Sequence, residues 1–126
     1  MGIGAIDHLN VVADDVAATL DFYRGLGIEV AQEEGIEGGA GRSVLLLNAQ
    51  QKINVQPRRP GFAAQQAGLH FGLVWEGTVQ EVADLLDHLG ITPDSGPVTT
   101  TCARGRATSF YLRDPGGTRV ELAVYE

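Results

Sequence analysis

The chain has 126 residues, of which 44% are hydrophobic and 20% charged, a composition that predicts one globular domain and excludes a mainly disordered chain. Its net charge of −7 argues against nucleic acid and anionic membrane surfaces as partners. No segment approaches the roughly 18 consecutive apolar residues of a membrane span, and Cys102, the single cysteine, cannot form an internal disulfide. We therefore expect a cytoplasmic protein.

The first half of the chain predicts a strand, a helix and three further strands. Residues 6–30 favour strand, helix and strand, with the helix capped by Asp14 or Asp15 and ended by Gly25 or Gly27. A glycine-rich stretch follows, and we expect it to form a mobile rim or lid. Its glycines are Gly35, Gly38, Gly39 and Gly41. The segment SVLLLNAQQKINVQ, residues 43–56, then predicts a hairpin of two strands.

The second half repeats this order. Residues 68–93 predict strand, helix and strand, with Thr78 and Glu81 as a capping box and Gly90 as the helix stop. Residues 93–108 are expected to be a loop. The segment SFYLRDPGGTRVEL, residues 109–122, predicts two strands joined by a Pro-Gly-Gly turn. The whole chain is thus interpreted as one domain with module one at residues 1–57, a connector at 58–67 and module two at 68–126.

This repeat predicts an α+β fold in which two β-α-β-β-β modules form a mixed, cup-shaped sheet. Chance similarity between two helix-strand units is the alternative, but the order of all the elements repeats. A half of about 60 residues buries little apolar surface alone, so we expect the two sheets to share one core or to close round a common cup.

Three residues are candidate metal ligands. His8 and His70 occupy equivalent places in the two halves, and period-2 alternation puts each on the strand face opposite its apolar neighbours. Glu121 lies on the corresponding face of the last strand. Two imidazoles and one carboxylate suit Fe, Mn, Ni or Zn and leave coordination positions open. Taken singly, each of these residues is more often an ordinary hydrogen-bonded strand residue.

The sequence resembles the vicinal oxygen chelate superfamily, which includes glyoxalases, bleomycin resistance proteins and extradiol dioxygenases. The matching stretches are IDHLNVVADDVAATLDFYRGLGIEV, GLHFGLV and SFYLRDPGGTRVEL, and the stretches QKINV and GITPDSGPV look like a subgroup labelled virulence- or dioxygenase-related. The resemblance implies the cup-shaped fold of that superfamily, a divalent metal ion on His8, His70 and Glu121, and a homodimer.

The resemblance also narrows the activity. Glyoxalase I and the related epimerase are expected to have a carboxylate in each half. In this chain an ungapped offset of 66 aligns Val55 with Glu121, and valine cannot bind a metal. Asn54 and Gln56 flank Val55 and are expected on the opposite face unless the strand slips register. Both activities are therefore disfavoured. The sequence motif of the extradiol dioxygenases includes a histidine in the region where this chain has Cys102, Ala103 and Arg104. Dioxygenase chemistry would therefore need Tyr111 or another group in place of that histidine.

Further polar residues are candidates for contact with a substrate. Tyr111 is the candidate catalytic residue, as a hydrogen-bond donor to an oxygen of the substrate, and Asn10 and Arg119 are candidate substrate-binding residues. Cys102 has no evident activating base, so we expect a structural or merely exposed thiol rather than a nucleophile.

Two functions follow from these candidates. The first is a metal-dependent lyase, isomerase or dioxygenase-like enzyme that acts on a small molecule with vicinal oxygens. The alternative is an antibiotic-binding or other small-molecule-binding protein, like the bleomycin resistance proteins, with a vestigial metal site.

Overall fold

The structure is a computed structural model that describes residues 1–33, 41–58 and 69–125. The chain divides into two compact units, Met1–Gln66 and Ala67–Glu126. The first unit contains β1 (His8–Ala13), α1 (Val16–Gly25), β2 (Glu29–Glu33), β3 (Arg42–Asn48) and β4 (Gln51–Pro57). The second contains β5 (His70–Val74), α2 (Val79–Leu89), β6 (Ser95–Cys102), β7 (Gly105–Arg113) and β8 (Arg119–Val124).

Each unit has one open four-stranded sheet of mixed direction, and the two sheets have the same topology. The strand orders are β1-β4-β3-β2 and β5-β8-β7-β6. In both, the first strand pairs in parallel with the last, and the other neighbours are antiparallel. The predicted fold class of two β-α-β-β-β modules is confirmed.

Both helices begin and end where their capping residues predict. The carboxylate of Asp15 accepts a hydrogen bond from the Ala18 backbone N–H at 3.0 Å and caps α1. At the start of α2, Thr78 and Glu81 form the reciprocal capping box, and Gly90 ends the helix in the left-handed conformation with φ 70°. Among the described residues, neither helix has the length and apolarity to cross a membrane.

Period-2 alternation separates an apolar face from a polar face in the second sheet. Val120, Leu122 and Val124 of β8 are buried, and they alternate with residues of the opposite face. Val82 and Leu86 of α2 are buried as well. The polar face carries the candidate site residues of β5, β7 and β8.

The expected loop at residues 93–108 is wrong, because most of it is the hairpin of β6 and β7, with Cys102 opposite Gly105. The run VTTTC contains the β-branched residues that pleated strands favour. Its polar character and lack of apolar alternation hid the strand. Apart from Gly41 and Arg58, the proposed lid and the connector at 58–67 lie outside the described residues.

Candidate functional site

Glu121 is the centre of a polar cluster in the second unit. The residue is only 8% exposed, and its Oε1 lies 3.2 Å from Nε2 of His70. Gly72 pairs directly opposite Glu121, and a Cβ atom there would lie 4.0 Å from the Glu121 carboxyl carbon. The absence of a side chain at Gly72 therefore leaves room between β5 and the carboxylate.

The second carboxylate oxygen of Glu121 is occupied by two donors. The buried Ser109 hydroxyl donates to Oε2 at 2.8 Å, and the Cys102 thiol donates to the same atom at 3.3 Å. Burial favours the protonated form, but the hydrogen bonds from Ser109, Cys102 and His70 outweigh it and hold the pKa of Glu121 below its ordinary value. The carboxylate is thus ionised, and Oε1 is the oxygen that faces His70.

Cys102 is a hydrogen-bond donor in this cluster. Burial raises the pKa of its thiol, and the hydrogen bond to Glu121 raises it further. A protonated thiol is a poor nucleophile, and of the two roles left open by the sequence the hydrogen bond to Glu121 favours the structural one. Sequence reasoning missed Ser109 and Cys102 as partners of Glu121, although Ser109 lies two residues before Tyr111 on the strand that pairs with β8.

Tyr111 and Arg119 extend the cluster on the same face. Tyr111 pairs opposite Glu121, and its ring centroid lies 5.7 Å from that of His70. The Arg119 guanidinium carbon lies 4.4 Å from the Tyr111 ring centroid. The second unit therefore brings together four of the predicted site residues: His70, Tyr111, Arg119 and Glu121.

The first unit holds the other two predicted site residues, His8 and Asn10. His8 Nδ1 lies 2.7 Å from an Asp7 carboxylate oxygen. A proton on Nδ1 that is donated to this carboxylate leaves the Nε2 lone pair free, as in the histidines that bind metals in proteins. Asn10 lies two residues further on the same strand face and accepts hydrogen bonds from Asn54 at 2.8 Å and Gln56 at 3.2 Å.

The expected orientation of Asn54 and Val55 is wrong. Asn54 pairs opposite Asn10 and so shares the face of His8, whereas Val55 pairs opposite Val11 on the other face. Asn10 and Gly72 are equivalent, because each lies two residues after the histidine of its first strand. Asn10 pairs with Asn54 and Gly72 pairs with Glu121. The position in the first unit that is equivalent to Glu121 is therefore Asn54. The offset between the modules here is 121 − 54 = 67, one more than the ungapped alignment used, and one residue reverses the face.

Asn54 is the polar residue that the sequence comparison missed in the first unit. It is 1% exposed, and its Oδ1 makes no hydrogen bond with any described residue. An amide thus stands where the second module has a carboxylate, which agrees with the expectation of a single carboxylate ligand.

His70 and Glu121 fit a divalent ion as a ligand pair. Two atoms bound to one ion at about 2.1 Å lie about 3.0 to 3.4 Å apart in octahedral or tetrahedral geometry, and the observed separation is 3.2 Å. Within residues 1–33, 41–58 and 69–125, no group of three or more His, Cys, Asp or Glu side chains is placed to hold a metal ion. The set of His8, His70 and Glu121 stays a prediction.

The chain is thus a small α+β protein built of two β-α-β-β-β modules with open sheets. Each module has a histidine on its first strand, and the last strand of the second module has a glutamate. The chain belongs to the Glyoxalase/Bleomycin resistance protein/Dioxygenase superfamily, whose sequence profile matches residues 5–122.

Three relatives illustrate the range of this superfamily. The glyoxalase domain-containing protein RDO1 of Mycosarcoma maydis is 30% identical, with 100% of this chain and 71% of RDO1 covered. The virulence protein STM3117 of Salmonella typhimurium is 29% identical, with 99% and 87% covered. The crystal structure of STM3117 superimposes with a TM-score of 0.83 and 27% identity over 100% of both chains. The antibiotic-binding protein TnmS3 of Streptomyces sp. CB03234 shares the fold, with a TM-score of 0.76, 19% identity and 100% and 99% coverage.

Proposed function

We propose that the protein is a divalent-metal-dependent enzyme that acts on a small substrate with vicinal oxygens, with His8, His70 and Glu121 as the metal ligands. The observation that carries this proposal is the His70–Glu121 pair, in which one carboxylate oxygen is held by donors and the other faces the imidazole. A Fe, Mn, Ni or Zn ion would supply a Lewis acid that polarises substrate oxygens and stabilises developing negative charge.

The surrounding residues prepare the proposed ligands. Ser109 and Cys102 fix the orientation of Glu121 and keep it ionised, so that it contributes a negative charge without a proton to lose. Asp7 favours the His8 tautomer with the proton on Nδ1. These contacts are the kind of outer-shell support that raises metal affinity.

The reaction class follows from which carboxylates are present. Asn54 replaces a carboxylate at the position equivalent to Glu121, which supports a three-ligand site over the four-ligand site of glyoxalase I. Tyr111, opposite Glu121, would donate a hydrogen bond to the reacting substrate, and Asn10 would bind a polar group of it. Lyase, isomerase and dioxygenase-like outcomes share these steps.

The alternative function is capture of a small molecule such as an antibiotic, with a vestigial metal site. The antibiotic-binding protein TnmS3 has the same fold, so the fold is compatible with such a binding function. In that case the polar cluster of Glu121 would serve only to stabilise the sheet.

Metal analysis of protein purified without chelator separates the two functions. We expect metal near stoichiometric in the wild type and reduced at least about tenfold in His70→Ala, Glu121→Gln and His8→Ala. His88→Ala is the matched control, because His88 is an exposed histidine in the last turn of α2. Metal content that is equal in Glu121→Gln and His88→Ala would refute the enzyme proposal and favour the binding protein.

The resemblance further implies a homodimer, and the single cysteine favours a reducing compartment such as the cytoplasm; we retain both as part of the proposal. Sedimentation equilibrium of the intact chain tests the dimer, with the monomer mass as the contrary result.

A further inference from the structure

Arg119 is a partly buried cation that forms no ion pair with any residue that the structure describes. It pairs directly opposite His70 in the parallel strands β5 and β8, and its Nε is buried without a hydrogen-bond partner among the described residues. The guanidinium stacks on Tyr111 at 4.4 Å. Cations that are removed from water normally have an acidic partner, so this arrangement needs an explanation.

Arg113 lies on the same face of the sheet as Arg119 but, unlike Arg119, has an acidic partner. It pairs opposite Arg119 across β7 and β8, and its Nε donates to Asp94 at 2.8 Å while another nitrogen donates to the Gly117 carbonyl at 3.1 Å. The Arg113 side chain is 51% exposed. The more exposed arginine therefore has a carboxylate partner, and the less exposed one has none within the described part of the chain.

Several other arginines of the described residues have an acidic partner, whereas Arg104, which stacks on Tyr125, and the exposed Arg106 have no ion pair there. Arg24 pairs with Asp21, and Arg42 pairs with Glu33. The chain carries sixteen acidic residues, so acidic partners are abundant. Beside Arg119, the nearby carboxylate of Glu121 is already bonded to Ser109, Cys102 and His70, and no carboxylate of residues 1–33, 41–58 or 69–125 forms an ion pair with the guanidinium.

We infer that Arg119, held on the Tyr111 ring, binds a carboxylate group of the substrate. This inference rests on the proposed function for the identity of the reacting centre, since it places the carboxylate beside the His70–Glu121 pair. Guanidinium presents a planar fork that matches a carboxylate, and stacking on an aromatic ring fixes the plane of that fork. Arg113 is neutralised by Asp94, so Arg119 is the arginine of this cross-strand pair that is available to an anionic group.

The position of Arg119 also limits the size of the substrate. Residues two apart on a strand lie about 7 Å from each other, and Arg119 and Glu121 are so related on β8. A carboxylate on Arg119 is therefore only a few bonds from atoms that lie against Glu121 and His70. The substrate class is a short hydroxy or oxo carboxylic acid whose carboxylate is close to its vicinal oxygens.

Benzoate and its neutral analogue benzamide test the carboxylate site without a chelating ligand. Each is titrated into the intact protein, as purified and after treatment with chelator, while the arginine Nε–Hε signals are followed by NMR. The Arg119 signal is assigned by its loss in Arg119→Gln. We expect benzoate to shift this signal, and to bind the wild type at least about tenfold more tightly than benzamide.

The variants separate charge, geometry and stacking. Arg119→Gln should lose at least about tenfold in benzoate affinity, and Arg119→Lys should recover only part of it because lysine has no planar fork. Tyr111→Phe should retain binding, whereas Tyr111→Leu should weaken it. Arg113→Gln is the matched control, and we expect its benzoate affinity to equal that of the wild type.

The contrary results overturn the inference. They are equal responses to benzoate and benzamide, or an Arg119→Gln variant that binds benzoate as Arg113→Gln does. Benzoate binding through Arg119 in the chelator-treated protein, together with metal content unchanged by Glu121→Gln, would keep the carboxylate site and remove the metal function. Loss of metal in Glu121→Gln, together with no shift of the Arg119 signal on addition of benzoate, would keep the metal function and remove the carboxylate site.

Discussion

Glu121 and Asn54 show how one backbone position serves two different purposes in the two modules. Glu121 is buried but has hydroxyl, thiol and imidazole partners for its two oxygens. Asn54 is more deeply buried, and its side-chain N–H donates one hydrogen bond, to the amide oxygen of Asn10. A carboxylate is thus supported by donors in one module, while an uncharged amide occupies the module that lacks them.

The faces of these residues were only partly predictable from the sequence. Period-2 alternation placed His70 and Glu121 on one face correctly, because the apolar residues of β5 and β8 alternate without interruption. Strand β4 alternates too, with Ile53 and Val55 on one face and polar residues on the other, but the ungapped alignment of the two modules assigned its faces the wrong way round. The pairs Val44–Asn54 and Tyr111–Glu121 are both related by 67 positions, so the alignment was one residue short over the whole hairpin.

Ser109→Ala tests the support of Glu121. Removal of the hydroxyl that lowers the pKa of Glu121 should raise that pKa toward the ordinary value, as measured by carbon-13 NMR of the carboxyl group. A carboxylate with a lowered pKa in the folded state stabilises the protein above its unfolded pKa, and this stabilisation is lost as pH falls through the folded pKa. The loss of stability in Ser109→Ala should therefore be largest near neutral pH and shrink in acid.

Ser43→Ala is the control for this change, since the Ser43 hydroxyl accepts a bond from Gln32 on the other sheet. Its Glu121 titration should match the wild type. An unchanged pKa of Glu121 in Ser109→Ala would contradict the prediction and would show that Cys102 and His70 alone hold that pKa below its ordinary value.

Asn54→Asp tests the opposite situation, a carboxylate without sufficient donors. Burial should raise the pKa of the new carboxyl group above its unfolded value, so the charged form destabilises the fold above that value. We expect a loss of about 1–3 kcal/mol at neutral pH in urea unfolding, and little loss near pH 4. Asn48→Asp, at an exposed position, should be nearly neutral, and equal stability of the two variants would contradict the argument.

At the scale of elements, the helices were easier to predict than the strands. Capping residues act over three or four positions, so Asp15, Thr78 and Gly90 mark helix ends without any tertiary information. Strand β6 has no such local signal. β6 is a strand because it pairs with β7. Such pairing depends on residues of another segment, so it cannot be predicted from the sequence of β6 alone.

Thr78→Ala measures how much the capping box of α2 contributes. The Thr78 hydroxyl accepts from the Glu81 backbone N–H at 3.1 Å, and the Glu81 carboxylate accepts from the Thr78 backbone N–H at 2.8 Å. Loss of the hydroxyl should reduce the free energy of unfolding by about 1 kcal/mol, whereas Thr78→Ser should retain most of it. Thr92→Ala, exposed beyond the helix, is the control, and equal effects of Thr78→Ala and Thr92→Ala would exclude a capping role.

At the scale of the whole molecule, the repeat has been retained in topology while the two polar faces have diverged. Each unit keeps the same strand order and a histidine on its first strand. In the second unit Ser109, Cys102 and Tyr111 surround a carboxylate, whereas the first unit has an amide cluster of Asn10, Asn54 and Gln56. The shared topology agrees with the repeat inferred from the sequence, and the two units differ in the polar residues of their faces.

The proposed ligand set predicts a stability that depends on metal. An ion that binds only the folded state at 100 times its Kd stabilises the protein by about 2.7 kcal/mol, which for a chain of this length corresponds to a rise in Tm of roughly 8–15 °C. We expect such a rise with Zn, Ni or Mn added to chelator-treated wild type and to His88→Ala. It should be lost in Glu121→Gln and His70→Ala, because both change the observed pair. His8→Ala decides whether the first unit takes part: a full rise in that variant would leave His70 and Glu121 as the ligands and remove His8 from the set.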